Sequence, residues 1–263
     1  MKPLIIESLP PVPEWLSLLR SPALRDLLDW EQACMDEWLS DVFGFHALQV
    51  GCLGLSALRA NRMPHRWRAL TEYEPGSRLP ADLQFESRAW PWSADSLDLV
   101  VLPHGLEHGA DPHVCLREIE RVLIPEGHVL ISGFAPLSLW GMALQWRRGR
   151  SGELDPAMGE LIALHRLRDW LRLTGFEVTR CEFFGWSPPW GSERWRRRWS
   201  RTDAWGRQWL PSLGGAYMIL ARKRVHGLRA TGLKPWRVST PTAVVAPAIA
   251  PSDMLCHPER TRE

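Results

Sequence analysis

Between residues 47 and 224 the sequence alternates short apolar runs with amphipathic ones, and that order leaves few folds open. Residues 47–50 form an apolar run ending in Gly51, and residues 56–62 can be helical. Residues 97–102 read as a buried strand, residues 113–123 as a helix with Leu116, Ile119 and Val122 on one face, and residues 128–131 as another strand. Residues 164–174 then predict a helix stopped by Gly175, followed by strands over 176–184 and 216–221. Strands alternating with helices build an α/β domain, a mostly parallel sheet with helices on both faces. In an open sheet of this kind the ligand sits past the carboxyl ends of the strands, where the strand order reverses.

The flanks divide the chain. Residues 14–39 carry Trp15, Leu18, Leu19, Leu24, Leu27, Leu28, Met35 and Leu39 among charged residues, so residues 1–42 form a helical extension interrupted near Pro22. The sheet domain spans 43–224. From 225 to 263 prolines, threonines and alanines give no usable period, and a flexible tail is expected. Hydrophobic residues at 45% and charged residues at 24% belong to a soluble globular chain, and a formal charge of +2 favours no polyanion, so no nucleic-acid partner is expected. The five cysteines form no C-x-x-C pair, which points to a reducing compartment. The N-terminus lacks the pattern of a signal peptide, and the longest stretch free of charged side chains, 127–146, is broken by Gly133, Pro136 and Gly141. A cytoplasmic protein is expected.

The turn after the first strand, Val50-Gly51-Cys52-Leu53-Gly54-Leu55, brings glycine to a place where backbone can approach a ligand. The centre of the chain is more specific. Glu86-Ser87-Arg88-Ala89-Trp90-Pro91-Trp92, then Ser96-Leu97-Asp98-Leu99-Val100, Leu106-Glu107-His108, Asp111-Pro112 and the run from Leu116 through Arg121-Val122-Leu123-Ile124-Pro125-Glu126-Gly127 stand in a fixed order. In order and spacing they resemble the class I S-adenosylmethionine-dependent methyltransferases, the methyltransferase type 11 group in particular.

That resemblance implies a Rossmann-like methyltransferase fold with a seven-stranded sheet, and S-adenosyl-L-methionine as cofactor. It matches Gly51, with Cys52 and Gly54 beside it, to the loop that approaches the amino-acid part of the cofactor. Glu86 matches the carboxylate that accepts from the adenine amine, and Ser87 the residue whose backbone N–H reaches the ring. His104 stands where the family lines the methyl-transfer pocket. Glu72 or, equally, Glu74 takes the ribose-binding role. The loop departs from the family's acidic-x-Gly-x-Gly-x-Gly: Gln49 replaces the acid, Leu53 the second glycine and Leu55 the third, while Gly54 shifts the turn. Glu126 replaces the first glycine of the later Pro-Gly-Gly turn.

Methyl transfer asks the protein mainly to hold a nucleophile against the methyl and to exclude water. Where the nucleophile has a proton to lose, His104 or His108 can take it, or His104 serves as a pocket wall. His104, His108 and His113 suggest a metal, but no second ligand pair accompanies them and none is assigned. Six of the sixteen tryptophans, Trp186, Trp190, Trp195, Trp199, Trp205 and Trp209, interleave with six arginines before the last strand, in a cap expected over 185–212. On a helix starting near Ser192 one face is aromatic and the other cationic, which suits either packing on the sheet edge or a lid touching a membrane surface. The apolar insert Gly133-Phe134-Ala135-Pro136-Leu137-Ser138-Leu139-Trp140-Gly141 favours a small-molecule or lipid-like acceptor. The altered glycine loop supports a second reading, a fold that has lost catalysis and serves as a binding or membrane-surface module.

Overall fold

The computed structural model describes residues 22–52, 54–71, 81–86, 88–107, 111–150, 160–186, 209 and 214–224. Its contacts divide the chain into a unit of residues 1–225 and a unit of residues 226–263, and everything described belongs to the first. The expected tail and nearly all of the Trp/Arg-rich cap therefore lie outside the described residues.

In chain order the elements are α1 (Pro22–Ser40), β1 (His46–Val50), β2 (His65–Leu70), β3 (Leu83–Gln84), β4 (Leu97–Pro103), α2 (Pro112–Val122), β5 (Leu123–Phe134), α3 (Leu139–Arg150), α4 (Leu164–Leu173), β6 (Phe176–Phe184) and β7 (Ala216–Lys223). Seven strands form one sheet in the order β3-β2-β1-β4-β5-β7-β6. β1 pairs in parallel with β2 and β4, β4 with β5, and β2 with β3, while β7 runs antiparallel between β5 and β6. Chain order therefore reverses between β1 and β4, the place where an open α/β sheet holds its ligand.

Strand alternation gives each face its own core. Leu48, Val50, Val100, Leu102, Val129, Ile131 and Ile219 bury on one face beneath α2 and α4, whose Leu116, Ile119, Leu167 and Leu171 meet them. Ala47, Leu99, Val101, Leu130 and Met218 bury on the other, where α1 supplies Leu24, Leu27, Leu28, Met35, Trp38 and Leu39 at helical spacing. Asp98 at the start of β4 accepts from the backbone N–H of Phe45 and His46, both at 2.9 Å, and so fixes where β1 begins.

One expectation is overturned. Residues 54–64, between the β1 turn and β2, contain turns and bends and no helix. Side chains hold this segment's backbone in other ways. Gln32 of α1 donates to Ser56 O and accepts from Ser56 N, Gln49 accepts from Ala57 N, and Asn61 donates to Leu39 O and Val42 O. Leu55, Ala57, Leu58 and Met63 join the core that α1 completes, so α1 covers the face that a crossover helix would cover.

Candidate functional site

At the switch point the turn after β1 meets the turn after β4. The Cys52 N–H donates to Pro103 O at 3.0 Å, and Gly51 N donates to Ala69 O at 3.3 Å. Gly51 has φ +111°, and a Cβ there would lie 2.8 Å from Pro103 O and 3.0 Å from the Gly105 Cα. Glycine is thus required by the conformation and by the close approach of the two turns.

Gln49, wholly buried, organises the β1 turn. Its amide nitrogen donates to Cys52 O (3.1 Å) and Leu55 O (2.7 Å), and its oxygen accepts from Ala57 N (3.1 Å). Two carbonyls and one N–H call for a group with two donors and an acceptor, and an amide is that group. A carboxylate at this position would face two carbonyl oxygens with nothing to donate, which is the physical reason this turn carries glutamine where the resembled loop carries an acid.

His104 sits past the last residue of β4 in the left-handed region, φ +52°, a conformation that costs a residue with a Cβ about 1–3 kcal/mol and is kept only where its surroundings enforce it. The enforcement comes from two carboxylates. Nδ1 lies 2.9 Å from Glu107 Oε2, and Nε2 lies 3.0 Å from Oε1 and 3.3 Å from Oε2 of Glu31, the second being the better-aligned hydrogen bond. Glu107 Oε1 also accepts from the Phe134 N–H at the end of β5. All three side chains are buried, and the Phe134 ring stacks on the imidazole at 4.7 Å between centroids. Burial alone would discharge the ring, but the two carboxylates outweigh it and hold the pKa up at about 10. Burial pushes the Glu107 carboxyl above its ordinary value, against the pull of His104. With a carboxylate at each nitrogen the ring is held toward its protonated form, in which both nitrogens donate and neither has a lone pair with which to take a proton. It joins α1, the β4 turn and the end of β5.

The other expected site residues are distributed as follows. Cys52 is buried, Gly54 is half-buried, and Glu86 is exposed just past β3. Glu72, Glu74, Ser87 and His108 lie outside the described residues. His113 is not beside His104's partners but packs at a tilt against Trp170 of α4, 4.1 Å between ring centroids. Two members of the buried cluster, Glu31 and Glu107, were not among the expected residues. Their signal was present in the sequence: Glu31 falls four residues after Leu27 and four before Met35, inside the buried stripe of α1, and Glu107 falls three after His104.

Toward S-adenosylmethionine, Glu86 has what the expected adenine contact requires, an exposed carboxylate just past β3. At the amino-acid end the amides of Cys52, Ser56 and Ala57 already have partners within the chain. The Gly51 amide is likewise taken, by Ala69 O, and in the turn after β4 the amides of His104 and Glu107 donate to Ser132 O and His104 O.

Comparison with known proteins agrees with the fold. The family model described as Methyltransferase domain matches residues 63–131, a segment that begins after the β1 turn. The uncharacterized protein YafS of Escherichia coli (strain K12) is 29% identical over 201 residues, covering 76% of this chain and 77% of that protein. Among solved structures, a chain of the Haloferax volcanii complex between the Trm112 methyltransferase activator and a methyltransferase superposes with TM-score 0.56 at 17% identity, covering 81% of this chain and 96% of that one. An S-adenosylmethionine-dependent methyltransferase of Thermotoga maritima gives TM-score 0.55 at 14% identity, with 80% and 93% covered.

Proposed function

From the premise that this chain has the fold of the class I S-adenosylmethionine-dependent methyltransferases, we propose that it transfers a methyl group to a small-molecule or apolar acceptor. The observation that carries the reading is the strand order, which reverses between β1 and β4, with Glu86 exposed just past β3. S-adenosylmethionine, when bound, supplies a methyl activated on a sulfonium for in-line displacement. The chain's part is to bind and orient. Glu86 accepts from the adenine amine with the Ser87 N–H beside it, Glu72 or Glu74 accepts from the ribose hydroxyls, and the turn from Gly51 through Cys52 to Gly54 receives the amino-acid end.

His104 acts as a positioning residue rather than a base. As a cation between Glu31 and Glu107 it fixes the turn after β4 and pins α1 against the sheet. An acceptor that reacts must therefore be nucleophilic without its help.

Binding of S-adenosylmethionine and S-adenosylhomocysteine by the whole chain, measured by equilibrium dialysis, tests the reading. Micromolar binding is expected, weakened about tenfold or more in Glu86→Ala through loss of a charge-assisted hydrogen bond. Unchanged affinity in Glu86→Ala would remove the adenine assignment. A second reading, a binding module that no longer transfers methyl groups, is favoured by the internal partners of the Cys52, Ser56 and Ala57 amides, and it predicts no cofactor binding by the folded wild-type chain. On that reading the Trp/Arg-rich segment would serve a partner or a membrane surface, and co-sedimentation with anionic vesicles at low salt tests it.

A further inference from the structure

On the opposite half of the sheet from Glu86, a cleft of about 460 Å³ opens between α4, the end of β6 and the segment that follows β5. Pro136, Leu137 and Phe183 give it apolar walls. His165, Arg168 and Arg172 line it from α4, where spacings of three, four and seven residues put them on one helical face, and Asp169 is the carboxylate among its described lining residues.

Two further observations give the cleft an anionic preference, and a third gives it an apolar rim. The Nε of Arg168 is buried without a hydrogen-bond partner, while its guanidinium lies against the Cys181 thiol. A guanidinium that lines a cleft with no carboxylate among its described partners brings positive charge to an anion there. The first turn of α4 also lines the cleft, and its N-cap, Ala163, makes no side-chain hydrogen bond to it, so the positive end of a ten-residue helix faces the same space. Finally, Leu137 is 76% exposed at the rim.

We propose that this cleft binds an anionic amphiphile, a molecule with one phosphate or carboxylate group on an apolar body. Arg168, Arg172 and the start of α4 hold the anion, and Pro136, Leu137 and Phe183 take the apolar part. The cleft wall begins at Ala135, one residue past Phe134, whose ring stacks on His104, so the ligand lies next in sequence to the switch-point cluster. Identifying this ligand as the methyl acceptor rests on the methyltransferase reading; its binding does not.

The experiment is calorimetric titration of the full chain with octyl phosphate, octanoate, inorganic phosphate and octyl glucoside. Octyl phosphate or octanoate is expected to saturate a single site about tenfold or more tightly than either inorganic phosphate or octyl glucoside, the two arms separating phosphate from carboxylate ligands. Arg168→Gln combined with Arg172→Gln should weaken the preferred amphiphile about tenfold or more while leaving S-adenosylhomocysteine affinity unchanged. Leu137→Asp, at an exposed position where folding is not at stake, should weaken the amphiphile more than inorganic phosphate, since the amphiphile loses apolar contact as well as meeting a like charge. Absence of saturable binding by both anionic amphiphiles overturns the proposal. So does affinity no better than that of octyl glucoside or of inorganic phosphate, or affinity unaltered in both the arginine variant and Leu137→Asp. Loss of cofactor binding with retained amphiphile binding overturns the methyltransferase reading alone.

Discussion

His104, Glu31 and Glu107 put one imidazolium between two carboxylates in a dry interior, and the arrangement has a definite cost when broken. Replacing His104 by Gln leaves two buried acids without their cation and should destabilise the fold by about 3–5 kcal/mol in urea unfolding. The pH dependence has a fixed sign. A ring held up at about 10 in the folded chain, against about 6.5 when unfolded, contributes stability that is fully present below about 6.5 and lost as pH rises through about 10. Glu107, also raised, adds in the same direction from the acid side. Wild-type melting temperature should fall across pH 7 to 10, and His104→Gln should flatten that slope; a wild-type profile already flat there would contradict the charged cluster. Gln49 makes a second test at this scale. Gln49→Glu removes both donors from Cys52 O and Leu55 O and should cost about 2–4 kcal/mol, measured the same way. A neutral or stabilising effect would mean that the turn has the form of the acidic family loop. The residue resemblance singled out Gly51, Glu86 and His104, but not the buried carboxylates around His104. Glu31 stands 73 positions away, and no local pattern connects it to His104.

Among the elements, α1 changes the character of the site most. Its buried stripe takes over the face above β1, and its Gln32 and Asp36 hold the segment after the β1 turn through Ser56 and Arg59. The stripe was legible from spacing alone. Its consequence for residues 56–62 was not, because apolar Ala57 and Leu58 suit a helix in isolation, and only the packing of α1 shows that their burial is met without one. Met35→Ala, at a fully buried position of the stripe, should cost about 2–5 kcal/mol. Gly51→Ala should cost about 2 kcal/mol or more, since the new Cβ meets Pro103 O and the backbone is left-handed. Parent-like unfolding midpoints for both variants would show that the β1 turn is not clamped as described.

For the whole molecule, the strand and helix order written in the sequence was enough to anticipate the sheet, since parallel neighbours joined by crossovers admit few arrangements and the apolar runs at β4, β5 and β7 are buried on both faces. The cleft beside α4 was not anticipated: its cations are spaced along one helix and its apolar walls come from β6 and from the segment after β5, pieces joined only by the fold. On the proposed function the cofactor belongs to the turns after β1, β3 and β4, and the second ligand we propose belongs to the cleft beside α4. Amide hydrogen exchange of the full chain, with and without saturating S-adenosylmethionine, tests that division most directly. Slowed exchange at residues 51–55, 85–89 and 104–107, with α4 unchanged, is the predicted result. Exchange unchanged throughout, or slowed only along α4, would contradict it.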